Sequence, residues 1–363
     1  MSQLRIGIIG CGGIANAKHL PALANMGDLA VMTAFCDIIP ERAELAAKQY
    51  GAAGARTYTD YRQLLEDSSI DVVHVLTPNS SHALITVAAL EAGKHVMCEK
   101  PMAINSQEAQ TMLDAAKRTG KKLTIAYQNR FREDALMLKE ACSDGYLGDI
   151  YLAKAHAVRR RAVPTWGVFM DKEKQGGGPL IDIGTHALDL TLWCMDNYKV
   201  KSVSGSVFHK LKDQNKGNLF GPWNPAEFEV EDAAVGWIKM ENGATIYLES
   251  SWVLNTLDVR EAMTTLCGTL GGAEMRAVSG KPALRLNREM YGKLVEITPE
   301  MNSSIPYYGS KEMTEGDREA RQWLEAVLED RQPLVKAEEA FMVTRILEAI
   351  YESSATDKEI ILS

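Results

Sequence analysis

Leu4-Arg5-Ile6-Gly7-Ile8-Ile9-Gly10-Cys11-Gly12-Gly13-Ile14-Ala15 runs an apolar strand into a glycine-rich turn and then into a helix. That order is the entrance of a dinucleotide-binding unit. Gly10 permits the tight turn, and Gly12 removes the side chain that would hold a pyrophosphate off the backbone. Ala15 fills the third small position, where helix packs on strand. Backbone N–H groups around Gly12, Gly13 and Ile14, together with the helix dipole, then face the phosphates. Asp37 closes the next apolar stretch, 30–36, at about the 20-residue distance the fingerprint requires. Its carboxylate can accept hydrogen bonds from a ribose diol and would repel a 2′-phosphate. Ile38, Ile39 and Pro40 follow without a cation, and Arg42 is the nearest one, so the predicted cofactor is NAD in preference to NADP.

With 363 residues the chain suits two domains, each large enough to bury its own core. A formal net charge of −8 argues against a nucleic-acid or anionic-membrane partner, since either would want a basic face. A small molecule is the expected partner. No apolar run approaches the roughly 18 residues of a membrane span, and Met1 lies close to the first core strand, so a cytoplasmic location is expected. The six cysteines are scattered without a CxxC pair, as packing thiols in a reducing compartment would be.

From Leu4 to Tyr127 short apolar strands alternate with helix-length segments, which predicts parallel βαβ units with strands at 4–9, 30–36, 70–76, 95–98 and 123–127. Beyond Arg130 a helix carrying Leu136, Leu138 and Ala141 leads into alternating stretches at 151–158, 203–211, 230–240 and 244–253. Asn242-Gly243 reads as a type I′ hairpin turn between the last two. Two late helices, near 315–329 and 337–353, carry apolar stripes. The expected fold is therefore α/β: a Rossmann domain over residues 1–128, then an α+β domain over 129–363 built on an open, mostly antiparallel mixed sheet.

Thr77-Pro78-Asn79 and Glu99-Lys100-Pro101 follow two of the predicted parallel strands and so lie at the carboxyl edge of the sheet, where such folds bind ligands. Pro101 fixes the chain direction beside Lys100, as an aimed lysine would need. Gly176-Gly177-Gly178-Pro179 introduces a second helix, on which Asp182 and His186 stand four residues apart and share a face. Gly184 between them removes bulk that a ligand could occupy, and Asp189 is placed to set the tautomer of His186. Such a pair could hold a metal, but no further ligand stands at useful spacing, and none is expected. Arg159-Arg160-Arg161 reads either as a solvated strand end or as a fork for an anionic substrate group. Trp166 could wall the nicotinamide, stack on a sugar ring or pack in the core.

Taken in order, GxGxxA, Thr77-Pro78-Asn79 with His82, Glu99-Lys100-Pro101, Gln128-Asn129-Arg130-Phe131 and GGGxxxDxGxH resemble the Gfo/Idh/MocA oxidoreductases, which include glucose-fructose oxidoreductase and inositol dehydrogenase. The resemblance runs over nearly the whole chain. It implies that Gly10, Gly12, Gly13, Ile14, Asp37, Thr77, Pro78, Asn79, His82, Glu99, Lys100 and Gln128 line the NAD site. It implies a catalytic set of Lys100, Asp182 and His186. Substrate contacts are expected from these three with Arg130, Arg159, Arg160, Arg161 and Trp166, and a homodimer or homotetramer is expected through the open sheet. The implied reaction is hydride transfer between NAD and a secondary hydroxyl of a cyclic polyol, sugar or glycoside. His186 is the expected base, because an imidazole of ordinary pKa, about 6.5, is mostly neutral at pH 7. Lys100 would stabilise the developing alkoxide, with Asp182 orienting the pair. Two other readings stand beside this one. The first is a redox-neutral NAD-dependent glycoside hydrolase, with His156 or Tyr127 as an extra acid–base group. The second is a non-catalytic NAD-binding regulator.

Overall fold

In the computed structural model, which describes residues 3–278, 281–300 and 313–362, the first strands form where apolar β-branched residues recur. β1 (Leu4–Ile9), β2 (Ala30–Cys36), β3 (Arg56–Tyr58), β4 (Val72–Val75), β5 (His95–Cys98) and β6 (Leu123–Ile125) make one parallel sheet in the order β3-β2-β1-β4-β5-β6. This is the order of a dinucleotide-binding fold, in which the chain reverses beside β1 and opens a crevice at the carboxyl ends. α1 (Leu20–Ala24), α2 (Pro40–Tyr50), α3 (Tyr61–Leu65), α4 (His82–Glu91) and α5 (Ser106–Thr119) connect the strands. Asp60 and Asn105 cap α3 and α5 by accepting from the backbone N–H groups of Arg62 and Glu108.

The residues cluster into two units, Met1–Gln128 with Lys311–Phe341, and Asn129–Ser310 with Met342–Ser363. A single cut after Gln128 is therefore amended, because the chain returns to the first unit. α9 (Glu315–Leu328) buries Trp323 and Leu324 in one cluster with Leu20, Leu23 and Met26, and Asn25 Nδ2 donates to Asp317 at its first turn. Its apolar stripe was legible, but its partner was not.

The second unit opens on α6 (Glu133–Ser143) and β7 (Ile150–Val158), then passes through α7 (Lys172–Gln175) and α8 (Thr185–Met195). β8 (Val200–Phe208), β9 (Ala233–Met240), β10 (Thr245–Ser251), β11 (Arg260–Gly268), β12 (Gly271–Val278), β13 (Lys281–Met290) and β14 (Lys293–Ile297) follow. α10 (Ala337–Thr356) crosses from the first unit into the second, and β15 (Ile360–Ile361) ends the chain on β8. The nine-stranded sheet runs β14-β13-β12-β11-β7-β10-β9-β8-β15, with β7 and β10 parallel and the remaining pairs antiparallel. The small side chains Ala153, Ala155 and Ala157 let α8 settle on one face, where Thr191 Oγ1 donates to Thr264 Oγ1 at 2.9 Å. The opposite face presents Lys154, Trp237 and Tyr247. Between β9 and β10 only Gly243 takes a positive φ, +88°. Met240 N donates to Ala244 O and Gly243 N to Met240 O, so the turn is a longer loop than the expected type I′ pair. Among the described residues, no helix is long and apolar enough to cross a membrane.

Candidate active site

Gly10 sits at φ +93°, and a Cβ there would lie 2.5 Å from Leu76 O, so the turn admits only glycine. Gly12 and Gly13 differ: a Cβ on either meets no protein atom within 4 Å. Their missing side chains are not required by packing inside the protein, and they leave the backbone of the turn open on its outer side. Asp37 is fixed against that turn, accepting from Cys11 N at 2.8 Å and from Ile39 N at 2.9 Å. An open glycine turn at a helix start, with a carboxylate locked beside it, fits a dinucleotide.

The helix after the turn widens to π winding over Ala15–His19, a departure from the plain α-helix the sequence suggests. The wider turn carries Lys18 and His19 inward. Lys18 Nζ lies 2.7 Å from Glu99 Oε1, 3.2 Å from Glu319 Oε2 and 2.9 Å from Gln128 Oε1. His19 Nε2 lies 2.9 Å from the same Glu99 oxygen, and its Nδ1 is 3.4 Å from His74 Nδ1. The other Glu99 oxygen accepts from Lys100 N at 2.9 Å. Glu99 is therefore a buried anchor for the turn that carries Lys100. Burial works against its charge, but Lys18 and His19 outweigh it and hold the carboxyl well below the ordinary range. Burial pushes Glu319 up to about 7, with Glu99 adding repulsion against the pull of Lys18. Burial, with the charge of Lys18, takes His19 down to about 4. Lys18, His19, His74 and Glu319 form no local motif, and sequence reasoning passed over all four.

His82 also has its ring atoms committed within the first unit. It is fully buried, with Nδ1 2.8 Å from Pro101 O and Nε2 2.9 Å from Thr77 O. A neutral ring donates to one of these at a time, and the side chain bridges the two edge loops. Asn79 is nearly buried, Thr77 and Lys100 are half-buried, and Pro78 and Ile14 are exposed.

In the second unit Pro179 opens a π turn over Leu180–Gly184 that continues into α8. From Gly177 to Cys194 every residue is buried except His186, which is half-buried. Asp182 Oδ2 accepts from Trp252 Nε1 at 3.0 Å. Glu231 holds the start of the turn, accepting from Gly178 N at 2.9 Å, Leu180 N at 3.1 Å and Tyr351 Oη at 2.8 Å. A Cβ on Gly177 would collide with Tyr351 Oη, and one on Gly178 with Glu231 O. A Cβ on Gly184 would meet Ser250 Oγ at 3.2 Å. These glycines serve close packing, and Ser250 occupies the space the sequence reading had left for a ligand.

Asp189 and Arg130 pair with each other. Arg130 Nε donates to Asp189 Oδ2 at 2.9 Å and Nη2 to Oδ1 at 2.6 Å, with the guanidinium carbon 5.5 Å from the centre of the Trp193 ring. Arg130 is fully buried and belongs to an internal ion pair. In the arginine run, Arg159 binds Glu261 through two bonds of 2.6 and 2.5 Å, and Arg160 is exposed. Arg161 donates to Gln214 O and Asn255 Oδ1. Glu261 thus balances the charge of Arg159. Trp166 is exposed, packing edge-on against Phe169 and Phe220. Tyr127 is fully buried, and His156 is nearly so, held between Glu249 and Thr265.

The sequence matches two family models, "Oxidoreductase family, NAD-binding Rossmann fold" over residues 4–127 and "GFO/IDH/MocA C-terminal domain" over residues 135–274. It is 36% identical to a D-glucoside 3-dehydrogenase of Escherichia coli, over 98% of this chain and 96% of that protein. It is 26% identical to the scyllo-inositol 2-dehydrogenase (NADP(+)) IolW of Bacillus subtilis, over 100% of this chain and 97% of that one. The fold superposes on levoglucosan dehydrogenase in complex with NADH with a TM-score of 0.83, at 24% identity and 100% coverage of both chains.

Proposed function

The chain belongs to the GFO/IDH/MocA family of oxidoreductases with an NAD-binding Rossmann fold, and from that premise we propose that it oxidises a secondary hydroxyl of a sugar, glycoside or cyclic polyol. Bound NAD supplies the hydride acceptor for the carbinol carbon. His186 takes the hydroxyl proton. Lys100, aimed by the Glu99 anchor behind it, supplies positive charge to the developing alkoxide. Asp182, fixed by the indole of Trp252, binds a neighbouring hydroxyl or orients the imidazole one turn on. The observation that carries this reading is the exposure pattern of the helix: a run from Gly177 to Cys194 is buried throughout except for its one imidazole. A helix buried throughout except for a single imidazole offers that ring alone to a ligand, which suits proton transfer.

Gly12, Gly13 and Ile14 receive the pyrophosphate in this proposal, and Asp37 the adenosine ribose, with NAD preferred to NADP because a 2′-phosphate would meet that carboxylate. Net hydrolysis would require one more acid–base group, and the two candidates for it, Tyr127 and His156, are buried. The uncovered face of the nine-stranded sheet, with Trp237 and Tyr247, is the proposed contact between copies of the chain. The test is Lys100→Met and His186→Ala, each expected to lower kcat on its best sugar or polyol by about 10²-fold or more while NAD affinity stays within a few fold. Unchanged turnover in either variant, or NAD binding lost together with turnover, overturns the assignment.

A further inference from the structure

Aromatic side chains of the second unit form a row of which the proposed chemistry uses only the inner end, Trp252. Trp252, fully buried, donates its indole N–H to Asp182. Phe169 lies 6.3 Å from it, Trp166 lies 5.9 Å from Phe169, and Phe220 lies 4.7 Å from Trp166, all edge-to-face. The row leads from a proposed catalytic carboxylate to the surface, where Trp166 is 53% and Phe220 40% exposed. Large rings left in water at the end of such a row are costly unless something covers them.

The platform is rigid before anything binds. Phe220 sits on the long Asn-, Gly- and Pro-rich loop, yet that loop is tied to the segment bearing Trp166 at four points. Leu219 N donates to Arg161 O at 3.0 Å and Thr165 Oγ1 to Phe220 O at 2.7 Å. Asn218 pairs with both main-chain groups of Val163, its Oδ1 accepting at 2.8 Å and its Nδ2 donating at 3.0 Å. A preformed surface loses little entropy on binding. Arg161, whose main-chain carbonyl holds Leu219 next to Phe220, carries a half-buried guanidinium bonded to Gln214 O and Asn255 Oδ1. Aromatic faces with a few polar groups at the rim suit a ring that is apolar on its faces and polar or substituted at its edge.

We propose that Trp166 and Phe220 form a subsite for the aglycone of a glycoside, a second pyranose or an aryl ring, while the oxidised sugar lies at Asp182 and His186. This rests on the function proposed above and adds the substrate class: glycosides with a ring-bearing aglycone over free monosaccharides or methyl glycosides. The rival occupant is a second copy of this chain.

The experiment compares phenyl and methyl glucosides of the same anomeric configuration, by steady-state kinetics with NAD and by calorimetric titration of the NADH-loaded protein. The wild type is expected to favour the phenyl glucoside in kcat/KM and in affinity, and Trp166→Ala to cut that preference about five- to tenfold, the scale of one lost stacking partner. Trp166→Phe should keep most of the preference, which separates stacking from misfolding. Turnover with an aglycone preference that Trp166→Ala leaves unchanged overturns the subsite and leaves the dehydrogenase reading standing. Binding that depends on Trp166 without any NADH formation overturns the dehydrogenase reading and leaves the subsite. Failure of every glucoside to bind overturns the subsite. A smaller oligomer for Trp166→Ala by light scattering assigns the patch to a subunit contact and overturns it too.

Discussion

Removing Arg130 from its pair with Asp189 should damage stability far more than catalysis. Both side chains are buried, and they are joined by two charge-assisted bonds of 2.9 and 2.6 Å with the Trp193 ring alongside. Taking away one partner leaves the other charge in a dry interior, which costs about 3–5 kcal/mol. For a domain of this size that corresponds to a fall in Tm of roughly 6–20 °C, at about 2–4 °C per kcal/mol. Arg130→Met and Asp189→Asn should each show it. The double replacement Arg130→Met with Asp189→Leu removes both charges and should recover to within about 2 kcal/mol of the wild type, because an apolar pair needs no compensation. Thermal unfolding followed by circular dichroism measures the stabilities, and initial rates on folded protein below the transition measure the effect on KM. If Arg130→Met melts within about 2 °C of the wild type and raises KM, the guanidinium serves the substrate, as the motif alone suggested. If the double variant is no better than the singles, packing against Trp193 is what matters and the ion-pair argument fails.

Asp37→Ala should move cofactor preference towards NADP by at least tenfold, about 1.4 kcal/mol, in titrations of both cofactors; equal affinities in the wild type would contradict it. Glu319→Gln should change how stability depends on pH. The native carboxyl keeps its proton up to about 7, against an ordinary value of 4.5. Its contribution to stability is therefore fully present below pH 4.5 and lost as pH rises through 7, by at most about 3 kcal/mol. His19, lowered to about 4, acts in the opposite sense, its contribution being present above about 6.5 and lost as pH falls through 4. The variant should thus gain on the wild type between pH 5 and 8 in urea unfolding, and a difference that does not vary with pH would refute the assignment.

How much of this was legible in the sequence depends on the range of the contact. The glycine turn, β1 and β2, the carboxyl-edge loops and the helix with Asp182 and His186 are written in stretches shorter than 20 residues, and local steric and periodic rules were enough for them. β11 to β14 went unread because their alternation is diluted by glycines and charges. α9 showed its apolar stripe, but nothing in a stripe says which core it enters, and it enters the one formed by Leu20, Leu23 and Met26. Arg130 and Asp189 are 59 positions apart, and Lys18 and Gln128 are 110 apart. Partners at that distance cannot be paired by spacing.

Those long-range partners also sort the motif residues by role. Glu99, His82, Arg130 and Asp189 all stand in or next to motifs, and each has its polar atoms committed inside the protein: Glu99 to Lys18, His19 and Lys100 N, His82 to two carbonyls, and Arg130 and Asp189 to each other. A polar group in a motif is expected to meet the ligand, but a buried one must first satisfy its own hydrogen bonds. These bonds hold direction. Glu99 and His82 fix the loops at the sheet edge, while Arg130 with Asp189 fixes α8. Glu231, which no motif reading singled out, fixes the turn ahead of α8 through Gly178 and Leu180. The glycines of that turn exist so that Glu231 and Tyr351 can come close. The polar side chains left half-buried within these same motifs are Thr77, Lys100, Gln128, Asn129 and His186. Lys100 and His186 carry the proposed chemistry, and the inward residues aim them. Mutating an inward residue should therefore lower stability first and kcat only secondarily, whereas Lys100→Met or His186→Ala should lower kcat alone.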